Sequence, residues 1–166
     1  MNNNMEVSIA GITLKNPVTT ASGTFGSGRE YSEHIDLNCL GGITVKGISD
    51  EPWKGNPVPR IAETRGGMLN SIGLQNPGVK HFIDNDIPFL RQYDTKIIVN
   101  ICGHTLTQYC SVAERLSNCD VDLLELNISC PNVEEGGLSF GTKPHVVESV
   151  VKAVRHYAKQ PLIVKL

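Results

Sequence analysis

The chain has 166 residues, 40% of them hydrophobic and 19% charged, with a net charge of −2. That is enough for one compact domain with a sizeable core, and it lacks the positive excess of a nucleic-acid binder. No apolar run approaches the length of a membrane span, and the opening MNNNMEV has neither the regions of a secretory signal nor an amphipathic leader, which points to the cytoplasm.

Two short β-prone runs flank Ala10-Gly11 in EVSIAGITLKNP, which predicts an N-terminal hairpin. PVTTASG reads as a short strand, REYSEHIDL as a helix and GGITVKG as a second strand. The stretch EPWKGNPVPRIAETRGGMLNSIGLQNPG is dense in Gly, Pro and Asn. A structureless loop of that length inside a compact domain is ordinarily functional. Helical spacing resumes through Val79, Phe82, Ile83, Phe89 and Leu90, with a bend expected near Pro88. KIIVNIC is a strand, and TLTQYCSVAERLSN a helix with Thr105 as its N-cap. VDLLELN is a strand, followed by the loop ISCPNVEEGGLSFGT. KPHVVESVVKAVRHYAKQ is a helix with Pro144 in its first turn, and PLIVKL is a fifth strand.

Short apolar strands alternating with amphipathic helices imply a parallel sheet covered by helices. No GxGxxG follows the first strand and no GxxxxGK[ST] occurs, so a (β/α)₈ barrel is favoured over a doubly wound sheet. Such a barrel needs about 250 residues. Residues 1–166 therefore read as the N-terminal portion, about five strands, of a single α/β barrel domain.

Barrel enzymes place their chemistry at the C-terminal ends of the strands. Those ends carry Ser22, Lys46-Gly47, Asn100, Asn127 with Cys130 just beyond, and Lys165. A lone lysine beside a strand is ordinarily a solvated charge. Lys46 and Lys165, however, each follow an apolar run, where a cation suits a carboxylate, a phosphate or an anionic ring, or forms a Schiff base; spacing does not choose. A lone Asn in a loop is ordinarily a turn residue. Together Asn70, Asn100, Asn127 and Asn132 offer paired donors and acceptors suited to a planar ring with alternating N–H and C=O groups. Ser22-Gly23 would let backbone approach such a ring, and Gly66-Gly67 serve that role or a turn equally well. His104 and His145 have no partner at metal-ligand spacing. The five cysteines form no CxxC pair and read as small buried hydrophobes, with Cys130 set apart by its place at a strand mouth.

The motifs NPVTTASGTFGSGREY, VKGIS, NPVPRIAETRGGMLNSIGLQNPG and ELNISCPNVEEGG together resemble the dihydroorotate dehydrogenases, most closely the catalytic subunits of the class 1B, NAD-linked branch. The similarity runs from about Ile12 to Leu166, and MLNSIGLQNPG followed by ELNISCPN is its most specific part.

The resemblance implies an FMN-binding barrel that oxidises dihydroorotate to orotate in pyrimidine synthesis. It carries FMN contacts to Ser22, Lys46, Gly47, Asn100, Asn127 and Lys165. Substrate contacts fall on Lys46, Asn70, Ser71, Ile72, Gly73, Leu74, Asn127 and Asn132, and the role of catalytic base falls on Cys130. In that scheme the base removes the C5 proton from one face of the pyrimidine while FMN accepts the C6 hydride on the other. A thiol, with a pKa near 8.5, suits such a base once its thiolate is modestly stabilised. The resemblance further implies an iron–sulfur flavoprotein partner carrying FAD and a 2Fe–2S cluster, which passes electrons to NAD. A homodimer would form the core of that heterotetramer; a fumarate-using homodimer is the neighbouring branch. Two other classes fit the residues: a Schiff-base lyase using Lys165, and a non-catalytic half-barrel that serves binding or assembly.

Overall fold

A computed structural model of the chain describes residues 5–129 and 140–166. Strands β1 (Val7–Ile9) and β2 (Ile12–Leu14) form the expected antiparallel hairpin. Its two turn residues, Ala10 and Gly11, both have positive φ, the backbone that matches the twist of the flanking strands.

The strand predicted over PVTTASG is reduced to one parallel bridge, Thr19 to Gly42. Pro17 lacks an N–H, and the Thr20 hydroxyl takes over the pairing, accepting from Thr44 N at 3.0 Å and donating to Thr44 O at 3.2 Å. The helix predicted over REYSEHIDL is also corrected. It is a single turn, α1 (Arg29–Ser32), and a 3₁₀ turn Leu37–Cys39 started by Asp36, whose side chain accepts from Asn38 N.

Strand β3 (Gly42–Thr44) leads into the long polar stretch, which is not structureless. It folds back as β4 (Ile61–Thr64) and β5 (Gly67–Asn70), an exposed antiparallel hairpin turning at Arg65-Gly66. Gly66 thus serves a turn, and a Cβ added there would meet nothing within 4 Å.

The bent helix is present as α2 (Gly78–His81), a π turn Phe82–Asp86 and α3 (Ile87–Leu90). Pro88 has no N–H to offer the Asp84 carbonyl, and the wider turn absorbs that defect before the ring arrives. β6 (Lys96–Ile101), α4 (Leu106–Leu116), β7 (Leu123–Asn127), α5 (Pro144–Tyr157) and β8 (Leu162–Lys165) follow as the periodicities predict. Thr105 caps α4 by accepting from Gln108 N at 3.3 Å. Among the described residues no helix is long and apolar enough to cross a membrane.

The main sheet is parallel, in the order β3-β6-β7-β8, and the Thr19 bridge adds the first strand beside β3. Spatial order follows chain order without a reversal. A doubly wound sheet reverses at its switch point, whereas a barrel adds each strand to the same side. Side chains alternate by face as the period of two demands. Ile43, Val45, Ile97, Val99, Ile101, Leu124 and Leu126 join the core with Val112, Leu116, Val150 and Val154 of the helices. The intervening Thr44, Lys46, Ile98, Asn100, Glu125, Asn127 and Lys165 therefore share the opposite, inner face.

Candidate active site

Polar residues gather at the C-terminal end of the inner face. Lys165 Nζ lies 3.3 Å from Ser22 Oγ, joining the last described strand to the first across 143 residues of sequence. Asn127 and Lys165 are register partners on adjacent strands. Lys46 is half-buried on the same face, and its N–H donates to Gly26 O at 2.8 Å, which fixes the loop after strand one. Among the described residues no carboxylate lies within ion-pair distance of the Lys46 ammonium, leaving its charge available to an anion.

Asn100 is the most constrained of the set. It is 1% exposed, its Nδ2 donates to Glu125 Oε1 at 2.5 Å, and its buried Oδ1 has no hydrogen-bond partner among the described residues. An unmet buried acceptor costs about 1–3 kcal/mol. Gly47 lies directly against it: a Cβ there would come 2.9 Å from Asn100 Oδ1 and 3.4 Å from Cys102 Sγ, so only glycine fits. An orphaned acceptor and two half-buried lysines together suit a planar ligand that carries an N–H and negative charge. Ser22, Lys46, Gly47, Asn100, Asn127 and Lys165 all stand at this end of the inner face.

Asn127 is held from behind. The Tyr109 hydroxyl of α4 donates to its carbonyl at 2.6 Å, and Ser129 Oγ donates to its Oδ1 at 2.9 Å. Cys130 and Asn132 lie outside the described residues.

Segment 70–74 stands apart from this group, and no hydrogen bond joins it to those residues among the described residues. Asn56 pins it: Asn56 Nδ2 donates to Ser71 O at 2.8 Å, and its N–H donates to Ile72 O at 3.1 Å. Gly73 and Leu74 both have positive φ, at 73° and 53°. For leucine that backbone is sterically costly. Asn76 holds it by donating Nδ2 to Leu74 O at 2.9 Å. The same buried side chain accepts at Oδ1 from Ser49 N, Ser49 Oγ and Gly78 N, tying the exit of the second barrel strand to the start of α2. Gly73 and Leu74 line a cavity of about 570 Å³ together with Trp53, Asn56 and His104. The His104 ring stacks on Trp53 with centroids 4.0 Å apart.

The remaining cysteines differ in setting. Cys102 is buried at the inner face beside Gly47. Cys110 and Cys119 are half-buried, and burial raises both thiols, which disfavours thiolate. Cys39 is exposed, against the expectation of burial, because it closes a 3₁₀ turn at the surface.

Three contributors escape a reading by strand ends: Glu125, Asn76 and Tyr109. Glu125 alone left a trace, an acidic residue inside an apolar strand at the period-two position before Asn127. Asn76 reads as an ordinary turn residue and Tyr109 as ordinary helix core.

Over residues 4–166 the sequence matches the family described as dihydroorotate dehydrogenase. Two curated relatives, each a "Dihydroorotate dehydrogenase B (NAD(+)), catalytic subunit", come from Alkaliphilus metalliredigens (strain QYMF) and Alkaliphilus oremlandii (strain OhILAs). Each is 71% identical over 163 residues, covering 98% of this chain and 54% of the relative. The protein of the same name from Lachnoclostridium phytofermentans is 64% identical over the same length. The chain thus spans about half the length of the curated relatives it matches. Among solved structures, that of DHODH in complex with ferulenol from Eimeria tenella superposes with a TM-score of 0.69 at 22% identity, covering 94% of this chain and 44% of that one. At that identity the likeness is one of fold, and it agrees with the N-terminal portion of a (β/α)₈ barrel.

Proposed function

The chain belongs to the dihydroorotate dehydrogenase family, and from that premise we propose that residues 1–166 form the N-terminal part of a single FMN-binding barrel that oxidises dihydroorotate to orotate. FMN, when bound, supplies the hydride acceptor. The observation that carries the reading is the orphaned acceptor of Asn100, buried on the inner face among the strand-end residues Gly47, Asn127 and Lys165.

The chain's own residues divide the remaining work. Lys46 and Lys165 place positive charge where the ring system and the substrate carboxylate gather. Gly47 leaves room for the Asn100 amide beside it, and Asn127 would offer its amide to ring and substrate. Segment 70–74, stiffened by Asn56 and Asn76, presents backbone and amide groups to the pyrimidine, with Asn132 completing the grip. Cys130 takes the C5 proton at its sulfur. The names of the relatives, catalytic subunits of an NAD(+) enzyme, support a separate partner subunit that passes electrons to NAD; the motif resemblance makes that partner an iron–sulfur flavoprotein bearing FAD and a 2Fe–2S cluster. A homodimer of the catalytic chain forms the core of that cytoplasmic assembly.

The test is the visible spectrum of the full-length protein before and after anaerobic addition of dihydroorotate. Bleaching of a flavin band is expected. In Cys130→Ala the flavin stays bound, while its reduction by dihydroorotate slows by two or more orders of magnitude, about the contribution of a positioned base. Reduction at the parent rate would remove Cys130 from that role. A colourless protein that yields a borohydride-trapped adduct on Lys165 would favour the lyase instead.

A further inference from the structure

We infer that Glu125 is a positioning residue, whose carboxylate fixes the Asn100 amide so that its oxygen, and not its nitrogen, faces the bound ring. The inference rests on the flavoprotein reading and extends it to a residue that touches no ligand.

A primary amide presents two nearly identical ends, and only its partners decide which end points where. Asn100 and Glu125 are register partners on adjacent parallel strands, so their side chains share the inner face. An ionised carboxylate accepts and cannot donate. Its Oε1 therefore captures Asn100 Nδ2 at 2.5 Å, and Oδ1 must turn the other way. Oδ1 then lies against Gly47, buried and without a partner among the described residues. A carboxylate could instead serve an ion pair. Among the described residues no cation lies within ion-pair distance of Glu125, and Asn100 is its hydrogen-bond partner. The arrangement presents a fixed acceptor, and its complement is an N–H on the edge of a planar heterocycle.

The test is a double-variant cycle in full-length protein, read as FMN affinity by fluorescence titration of the apoprotein, with apoprotein melting as a control on folding. Asn100→Asp alone sets two carboxylates face to face, and its FMN affinity should fall about tenfold or more, the equivalent of one hydrogen bond. Glu125→Gln in that background supplies an amide donor to the introduced carboxylate and leaves one of its oxygens facing the ring. Affinity should return to within about threefold of the parent. Asn100→Leu, which offers no acceptor, should not be rescued by Glu125→Gln. The inference is overturned if Glu125→Gln fails to rescue Asn100→Asp, or rescues Asn100→Leu as well. A parent apoprotein with no affinity for FMN would overturn the flavoprotein reading and the inference together, an outcome distinct from either failure of rescue.

Discussion

Asp122 opens β7 from the end of the barrel opposite the proposed site, and it is the residue with the clearest acid–base consequence. Burial alone would raise its carboxyl, but the Ile97 N–H, the Lys96 ammonium and the Arg91 guanidinium outweigh that and hold it below the ordinary carboxylate range. The folded value is thus lower than the unfolded one. The stability it contributes is fully present above the unfolded value, about pH 4, and is lost as pH falls through the folded value. Asp122→Asn should lower stability at neutral pH by about 1–3 kcal/mol, since three donors face one neutral amide. Urea titrations across acid pH should show the variant losing less further stability than the parent. An unchanged acid slope would assign that sensitivity to other carboxylates.

At the level of elements, the long Gly-, Pro- and Asn-rich stretch is organised by one side chain. Asn76 satisfies Ser49 N, Ser49 Oγ, Gly78 N and Leu74 O from a 4% exposed position. Asn76→Ala leaves two backbone N–H groups without that acceptor. The expected cost is about 2–4 kcal/mol, on the scale of about 1–3 kcal/mol for each buried group left unpaired. Hydrogen exchange should quicken at the Ser49 and Gly78 amides before the central strands are affected. Uniform exchange across the molecule would show that Asn76 matters only to global stability. The elements legible in the sequence were those whose burial is regular. β6, β7, α4 and α5 present one face to the core and repeat at two or about 3.6 residues. The hairpin β4–β5 was not legible, because all its residues are exposed and no alternation marks it. The first barrel strand was legible over PVTTASG but is reduced to a single bridge, because a threonine hydroxyl replaces part of its ladder.

For the molecule entire, the decisive feature is the open sheet. β8 pairs with β7 on one side only within the described structure, and its residues Leu162–Lys165 remain partly exposed. An unpaired parallel strand with an apolar face is a template for association. The 166 residues on their own are expected to self-associate in sedimentation velocity. A chain carrying the remaining strands should give a single defined species. A monodisperse monomer of the 166 residues would show that the loops and hairpins already cover the edge.

Local pattern was enough for the alternation of strands and helices, and for the strand ends where Ser22, Lys46, Asn100, Asn127 and Lys165 stand. Both follow from periodicity and from the Gly and Pro residues that stop each run. Which of those residues meet was settled by the packing of distant segments. The parallel register sets Asn100 beside Glu125, curvature of the sheet brings Lys165 to Ser22, and a buried amide at Asn76 clamps a strained turn. Contacts of this kind join residues far apart in the chain, and no run of neighbouring residues encodes the partner that a buried polar group must find.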